Sequence, residues 1–340
     1  MIRILPFGAF HNRQPLAYAP IRARLAGPVE LVDTPSEAQI LLISHHKDLE
    51  LYGTRLLRLL AARPALRVVL LSEEPFWDSC WAPDPFSRYQ GFATPEGVLP
   101  YAVLNHHTSA IYRAQRIPYF LLTDPRYIAH YRPLFDRNAG RSAAEWLAHF
   151  RDVPLDAGFI GEKRSHDRHN PAFPAQDVWG LSVFRSRFTH LCTAGRVLRA
   201  GKGWSDGPPR QELPDWHADK LALLDLRCRY VAGFENTHQA DYLSEKIYDA
   251  FAVGAVPLYV AGKTHAVHRL VGPAGWLNFY APPPKATAFD PRRRVTAPEA
   301  AAYAAVQARL ATLFQDPAAT ETELDRLTTA LVAEFRRLLS

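Results

Sequence analysis

Short apolar runs alternate with stretches of helical period along the first third of the chain. Residues 2–7, 29–32, 40–44 and 67–71 read as strands, and 20–25 and 52–62 as helices between them. That alternation predicts an α/β domain built on a parallel sheet. The pattern pauses over 131–150, which reads as a connection with a turn at 136–140 and a helix at 143–150. It restarts with an apolar strand at 157–160 and a helix within 180–191. A short helix at 221–227 leads into a strand from about Tyr230 to Asn236. Leu243, Ile247, Ala250 and Phe251 then fall at i, i+4, i+7 and i+8, the stripe of a helix over 244–253 with one buried face. Gly254 suits the position after that helix, where φ is positive. Residues 255–260 form a further strand, so the stretch is a βαβ unit and again implies parallel pairing.

The tail follows a proline-rich linker at 282–294. Thr296 with Glu299, and Thr320 with Glu323, are spaced as capping boxes. Each precedes an apolar stripe: Tyr303, Val306, Leu310, Leu313 and Phe314 in the first, and Leu324, Leu327, Leu331, Phe335 and Leu338 in the second. The boundaries drawn from this are 1–150, 151–285 and a pair of C-terminal helices in 286–340 that pack on the body. A chain of 340 residues is long for a single core and agrees with two main domains.

Charge changes the picture little. Forty basic against 34 acidic residues leave +6, spread along the chain. That suits small anionic ligands or an anionic membrane surface, and lacks the clustered charge and interleaved aromatics of a nucleic-acid binder. Cys80, Cys192 and Cys228 are too few and too scattered for a disulfide framework or a zinc site. No signal peptide is visible and no run reaches the ~20 apolar residues of a membrane span. The chain therefore reads as cytoplasmic, with peripheral contact at the inner face of a membrane left open. The oligomeric state is not legible.

Candidate chemistry gathers at strand ends. Asn236 lies just past a strand's C-terminal end, where open α/β sheets bind ligands. Asp241 or Ser244 can cap the helix that Glu245 and Lys246 open, and a helix start with a lysine attracts phosphate. Solvated first-turn charges would give the same letters. Glu73 and Glu74 follow another strand end, with Pro75 forcing extended backbone and stopping any helix there. Adjacent carboxylates raise each other's pKa and can furnish a general base; they also read as solvated loop acids. Trp77, Trp81, Phe86 and Tyr89 could stack on a sugar ring, or belong equally to the core or to a lid. His45-His46 and His106-His107 read as polar loop residues able to touch a ligand. Gly201-x-Gly203-x-x-x-Gly207, followed by Pro208-Pro209, departs from the dinucleotide fingerprint and reads as a loop.

Phe234-Glu235-Asn236-Thr237, Asp241-Tyr242-Leu243-Ser244-Glu245-Lys246 and Gly254-Ala255-Val256-Pro257 occur in that order within about thirty residues. Together they resemble the donor-binding signature of glycosyltransferase family 10, the α-1,3-fucosyltransferases, in a soluble bacterial-type form. Ser244 stands where the family has Thr, and Lys263 follows Gly262 where a Pro often closes the motif. Glu73-Glu74-Pro75 is similar to the family's acidic element. The resemblance implies a GT-B-like fold, two Rossmann-like domains facing across a cleft, the first for acceptor and the second for donor. It implies Arg185 (Arg187 second), Asn236, Tyr242, Glu245 and Lys246 as donor contacts, and Glu73 or else Glu74 as the catalytic base. The donor would be GDP-fucose or another nucleotide sugar. The acceptor would be a glycan of bacterial surface polysaccharide or lipopolysaccharide type, glycosylated with inversion. No Asp-x-Asp is present, so no metal or other cofactor is expected. A non-catalytic sugar-nucleotide-binding protein is the rival reading.

Overall fold

The apolar runs of the first hundred residues become one sheet. Strands β1 (Ile2–Pro6), β2 (Val29–Leu31), β3 (Ile40–Ile43), β4 (Arg67–Leu71), β5 (Tyr89–Thr94) and β6 (Gly97–Leu104) lie in the order β2-β1-β3-β4-β6-β5. All neighbours are parallel except the β5–β6 hairpin. β3 is covered on both faces, and Ile40, Leu41, Leu42 and Ile43 are all buried. Double coverage is why it reads as a continuous apolar run rather than an alternating one. Helices α1 (Ala19–Leu25), α2 (His46–Ala62) and α3 (Pro75–Trp81) complete this layer. Leu49 and Leu56 of α2 pack with Leu41, Ile43, Val68, Leu70 and Tyr101 of the sheet. The computed structural model describes residues 1–208 and 212–340.

Helices α4 (Pro125–Ala139) and α5 (Ala143–Asp152) lead into a second set of elements. These are β7 (Leu155–Ile160), β8 (Ala172–Phe173), β9 (Val178–Gly180), α6 (Ser182–Leu191), β10 (Val197–Ala200), α7 (Trp216–Leu224), β11 (Cys228–Ala232), β12 (Thr237–His238), α8 (Lys246–Ala252), β13 (Val256–Tyr259), α9 (Val267–Leu270), β14 (Leu277–Asn278), α10 (Ala297–Gln315) and α11 (Pro317–Leu339). The main sheet has the order β10-β7-β11-β13-β14, parallel throughout. A small antiparallel sheet, β12-β9-β8, flanks it. Both main sheets are therefore Rossmann-like, as the alternating pattern predicts.

The chain divides into Met1–Asp124 with Thr320–Ser340, and Pro125–Ala319. The boundaries drawn at 150 and 285 from sequence do not coincide with these. α4 and α5 belong with the second unit because they pack on α10, and α4 also packs on α8. Trp146 of α5 is fully buried, its ring 5.0 Å from Tyr303 of α10. From Thr320 onward α11 belongs with the first unit: Glu323 accepts from the amides of Gln115 at 2.6 Å, Arg116 at 2.5 Å and Ile117 at 3.1 Å. Thr320 is consequently not a cap. α11 begins three residues earlier, where Asp316 Oδ1 accepts from the Ala318 amide at 2.9 Å. Thr296 does form its capping box with Glu299.

Other local readings shift too. The expected turn at 136–140 is mostly the end of α4. α2 starts six residues before the expected 52, because His45 caps it by accepting from the Lys47 amide. Pro75 opens α3 instead of stopping a helix, its fixed φ suiting a first helical position. The Gly201–Gly207 stretch is built of turns, and Pro209 lies outside the described residues. No helix of the described residues is long and apolar enough to cross a membrane.

Candidate functional site

In the second unit, the polar residues of the βαβ stretch meet at the C-terminal end of β11. Gly233 follows the strand because a side chain there would strike Ile247 Cα at 3.1 Å and the Lys246 carbonyl at 3.2 Å. Helix α8 is thus seated directly against the strand end. Gly254 ends it at φ +75° as its place after the helix requires. α8 is buried all round, from Ile247 through Ala252, not on one face alone, because it lies between the sheet and α4.

Neither Asp241 nor Ser244 caps α8, which has no side-chain cap. Ser244 serves Glu235 instead: its amide donates to Oε1 at 2.8 Å and its hydroxyl reaches both carboxylate oxygens at 2.7–2.8 Å. Lys246 Nζ lies 3.1 Å from Glu235 Oε2 and 3.4 Å from Glu245 Oε1, and donates to the Ser244 hydroxyl at 2.8 Å. Its charge is therefore shared with two buried carboxylates, and Lys246 is not the solvated first-turn charge that its letters allow. Burial pushes the Glu245 carboxyl up, but Lys246 and Lys220 hold it below its ordinary value. Glu245 Oε2 is buried with no hydrogen-bond partner among the described residues.

Arg185 joins this group. Its Nη1 donates to the Phe234 carbonyl at 3.3 Å, while the Leu181 amide just before α6 donates to the Asn236 carbonyl at 2.8 Å. The start of α6 and the end of β11 are thereby stitched together, with Arg185 and Asn236 both half-buried at the seam. Arg187 is exposed on the same helix. Tyr242 is buried, and its amide donates to the Gln239 carbonyl at 3.1 Å. Beneath them Asp249 of α8 accepts from Tyr131 at 2.6 Å, His217 at 2.7 Å and Lys220 at 2.6 Å. That buried knot ties α4, α7 and α8 into one support.

In the first unit, Glu73 sits at the C-terminal end of β4 between two phenols. Tyr18 donates to Oε1 at 2.9 Å and Tyr119 to Oε2 at 2.5 Å. Burial raises the Glu73 carboxyl to about 7; the two hydroxyls pull it down, Tyr119 first, and Glu74 adds a little upward. Such a group is a carboxylate that can take a proton near neutrality. Glu74 is differently placed: it caps α3, accepting from the Phe76 amide at 3.2 Å. Asp78, one turn into α3, is buried and raised to about 8, chiefly by burial against hydrogen bonds from Ser72 and Asn105.

Of the histidine pairs, His46 opens α2, while His45, His106 and His107 lie in the bend and turn that follow β3 and β6. His45, His46 and His106 are buried, burial lowers the first two to about 4 and the third to about 3, and the His106 ring stacks on Tyr112 at 4.1 Å. Tyr18, Asp78 and the Asp249 knot carry no mark in the sequence. Tyr18 and Tyr119 stand 55 and 46 residues from Glu73 in the chain, and no local spacing marks them. Glu235 did carry a signal, being the central letter of Phe234-Glu235-Asn236.

No family model matches the chain, and no curated protein matches it. Among solved structures it is similar to an α1,3-fucosyltransferase in complex with GDP-fucose, at 14% identity over 100% of this chain and 90% of the other, with a TM-score of 0.40. A crystal structure of α1,3-fucosyltransferase with GDP is similar at 12% identity over 99% and 89% of the two chains, with a TM-score of 0.43.

Proposed function

We propose that this chain is an inverting, metal-independent glycosyltransferase that moves fucose from GDP-fucose to a hydroxyl of a glycan acceptor, of surface polysaccharide or lipopolysaccharide type. The observation that carries the reading is Glu73, a carboxyl at a strand's C-terminal end, held between two tyrosine hydroxyls and raised to about 7. The run from Phe234 to Pro257, with its resemblance to a donor-binding signature, supplies the substrate class. In this mechanism Glu73 takes the proton of the acceptor hydroxyl. The hydroxyl oxygen attacks the anomeric carbon, the bond from that carbon to the diphosphate oxygen breaks, and the electron pair leaves with GDP.

Arg185 is the proposed counter-charge for the departing diphosphate, since a guanidinium matches phosphate oxygens bidentately. Glu245, with one buried oxygen lacking a partner, is suited to accept from a ribose hydroxyl. Asn236 and Tyr242 complete the proposed donor contacts. Lys246 is assigned a double part: it faces the donor and holds the 235–245 loop through Glu235.

The test is release of nucleoside diphosphate from a panel of nucleotide sugars, with and without EDTA. Release of GDP from GDP-fucose, unchanged by EDTA, is expected. Response to UDP-sugars with none to GDP-fucose would overturn the donor, and EDTA-sensitive activity restored by manganese would overturn the metal-free mechanism.

A further inference from the structure

His45 is the centre of an aromatic cluster at the mouth of the first sheet. Its ring centroid lies 4.9 Å from Phe10, 5.2 Å from Trp77 and 5.3 Å from Trp81. Its Nδ1 accepts from the Lys47 amide at 3.1 Å, so the neutral ring carries its proton on Nε2 and keeps a donor there. Two cations border the cluster. The Arg13 guanidinium is 5.4 Å from the Trp77 ring and 6.0 Å from Phe10; the Lys47 ammonium is 5.4 Å from Trp81 and 5.9 Å from Phe10. Phe10, Trp77, Trp81 and Lys47 are half-buried and Arg13 is exposed.

Some cations of this chain are held by carboxylates. Arg58, Arg88 and Arg137 each bind a carboxylate. Among the described residues neither Arg13 nor Lys47 has a carboxylate within ion-pair distance. Two like charges over one phenyl ring repel each other unless an anion comes between them. The charge of Arg13 also reaches Glu73, and Trp77 stands four residues after Glu73, in the first turn of α3. Cluster and proposed base therefore share one neighbourhood within this unit.

We propose that the cluster is an acceptor subsite for an acidic sugar, a ring bearing a carboxylate or a phosphate. The ring face stacks on Trp77 and Trp81, and its acid group lies with Arg13 and Lys47, which is how a site selects an anionic over a neutral sugar. Aromatic faces take the apolar face of a ring, and the guanidinium fork takes either oxyanion. The assignment rests on the glycosyltransferase reading for its role in transfer, but the binding it describes is measurable without transfer.

The experiment is calorimetric titration of the whole chain with three trisaccharides that differ only at the terminal sugar: glucuronic acid, glucose 6-phosphate or glucose. GDP is titrated in parallel. The acidic probes are expected to bind at least tenfold more tightly than the glucose probe, with an affinity that falls as salt rises. A preference for one acidic probe identifies which oxyanion the site takes. Arg13→Gln and Lys47→Met should each weaken the acidic probes roughly tenfold, leave the neutral probe unchanged and leave GDP binding unchanged. Arg13 is exposed and Lys47 half-buried, Lys47→Met nearly keeps side-chain volume, and circular dichroism checks the fold of both variants. Equal affinity for acidic and neutral probes, or unaltered acidic binding in both variants, overturns the proposal. So does loss of GDP binding in these variants, which would give the cations to the nucleotide. Failure of the glycosyltransferase reading looks different: no nucleotide sugar is cleaved, while acidic sugars still bind through Arg13 and Lys47.

Discussion

Tyr119 donates its hydroxyl to Glu73 Oε2 at 2.5 Å, and Tyr18 holds the other oxygen at 2.9 Å. Both bonds favour the ionised carboxylate, against burial, which favours the protonated form. A base must be ionised to act, so kcat/KM for transfer should rise with pH through a midpoint near 7. Tyr119→Phe removes the larger of the two opposing influences and should move that midpoint upward; Tyr18→Phe should move it less. Glu73→Gln should lower transfer by ~10²-fold or more with donor affinity unchanged. A flat pH profile from 5 to 9 in the wild type, or a Glu73→Gln enzyme of normal kcat, would remove Glu73 from the role.

Glu74 is separable from Glu73 because its carboxylate is engaged as the α3 cap. Glu74→Ala should cost stability of about 1 kcal/mol, the usual worth of an N-cap. Glu74→Gln should alter transfer far less than Glu73→Gln. Thermal melts and initial rates on the same preparations decide this. A larger rate loss at Glu74 would exchange the two assignments.

Arg185 and Arg187 lie two residues apart on α6, yet only Arg185 bonds to the end of β11, through the Phe234 carbonyl. Loss of one charged donor at a developing charge raises a barrier by about 2–4 kcal/mol. Arg185→Ala should show this in kcat, since such contacts strengthen in the transition state. Arg187→Ala should stay near wild type. Rates at saturating donor distinguish the two, and the reverse ranking would move the diphosphate contact onto Arg187.

The parts of this chain that were legible in sequence are those where one local rule decides the outcome. The doubly covered strand β3, Gly254 after α8, and the Thr296–Glu299 box all follow from burial, backbone freedom or capping within a few residues. Thr320 and Glu323 satisfy the same capping spacing and fail, because Glu323 is taken by three amides more than 200 residues away. Ser244 fails as a cap for a similar reason: the buried carboxylate of Glu235 claims both its amide and its hydroxyl. Around Glu73, the acid shows at a strand end but its bonds to Tyr18 and Tyr119 do not, since only the fold brings these distant residues together. Pro75 fits a helix barrier and a helix start equally well in sequence, and its fixed φ leaves the choice open until the residue after it is placed; here it starts α3.

Asp78 offers a test of stability rather than rate. Its carboxyl is raised from 3.8 to about 8, first by burial. Over that interval the folded protein binds a proton that the unfolded chain has released. The stabilising contribution is complete below pH ~4 and is lost as pH rises through about 8. Asp78→Asn keeps the shape of the protonated side chain and removes the titration. Its melting temperature relative to wild type should therefore climb between pH 6 and pH 9. A difference that stays constant across that range would show that Asp78 is already ionised in the folded protein at pH 6.

Lys246 joins two roles that a single substitution confounds. Its ammonium lies 3.1 Å from Glu235 Oε2, and Glu235 is 2% exposed. Among the described residues, removing the lysine leaves a buried carboxylate bonded by Ser244 and Tyr259 alone. Hydrogen bonds to charged groups contribute about 1.5–3 kcal/mol, and breaking a buried pair from one side costs more than deleting both charges. Lys246→Met should therefore lower the melting temperature, and Glu235→Gln added to it should recover most of the loss. Activity should not follow stability. If Lys246 also faces the donor diphosphate, the double variant melts near wild type but keeps a kcat reduced by one to three orders of magnitude. Urea melts and single-turnover rates on wild type, both single variants and the double variant form a closed cycle whose coupling energy isolates the pair. Recovery of kcat together with stability would make Lys246 a loop-holding residue alone and leave the diphosphate to Arg185.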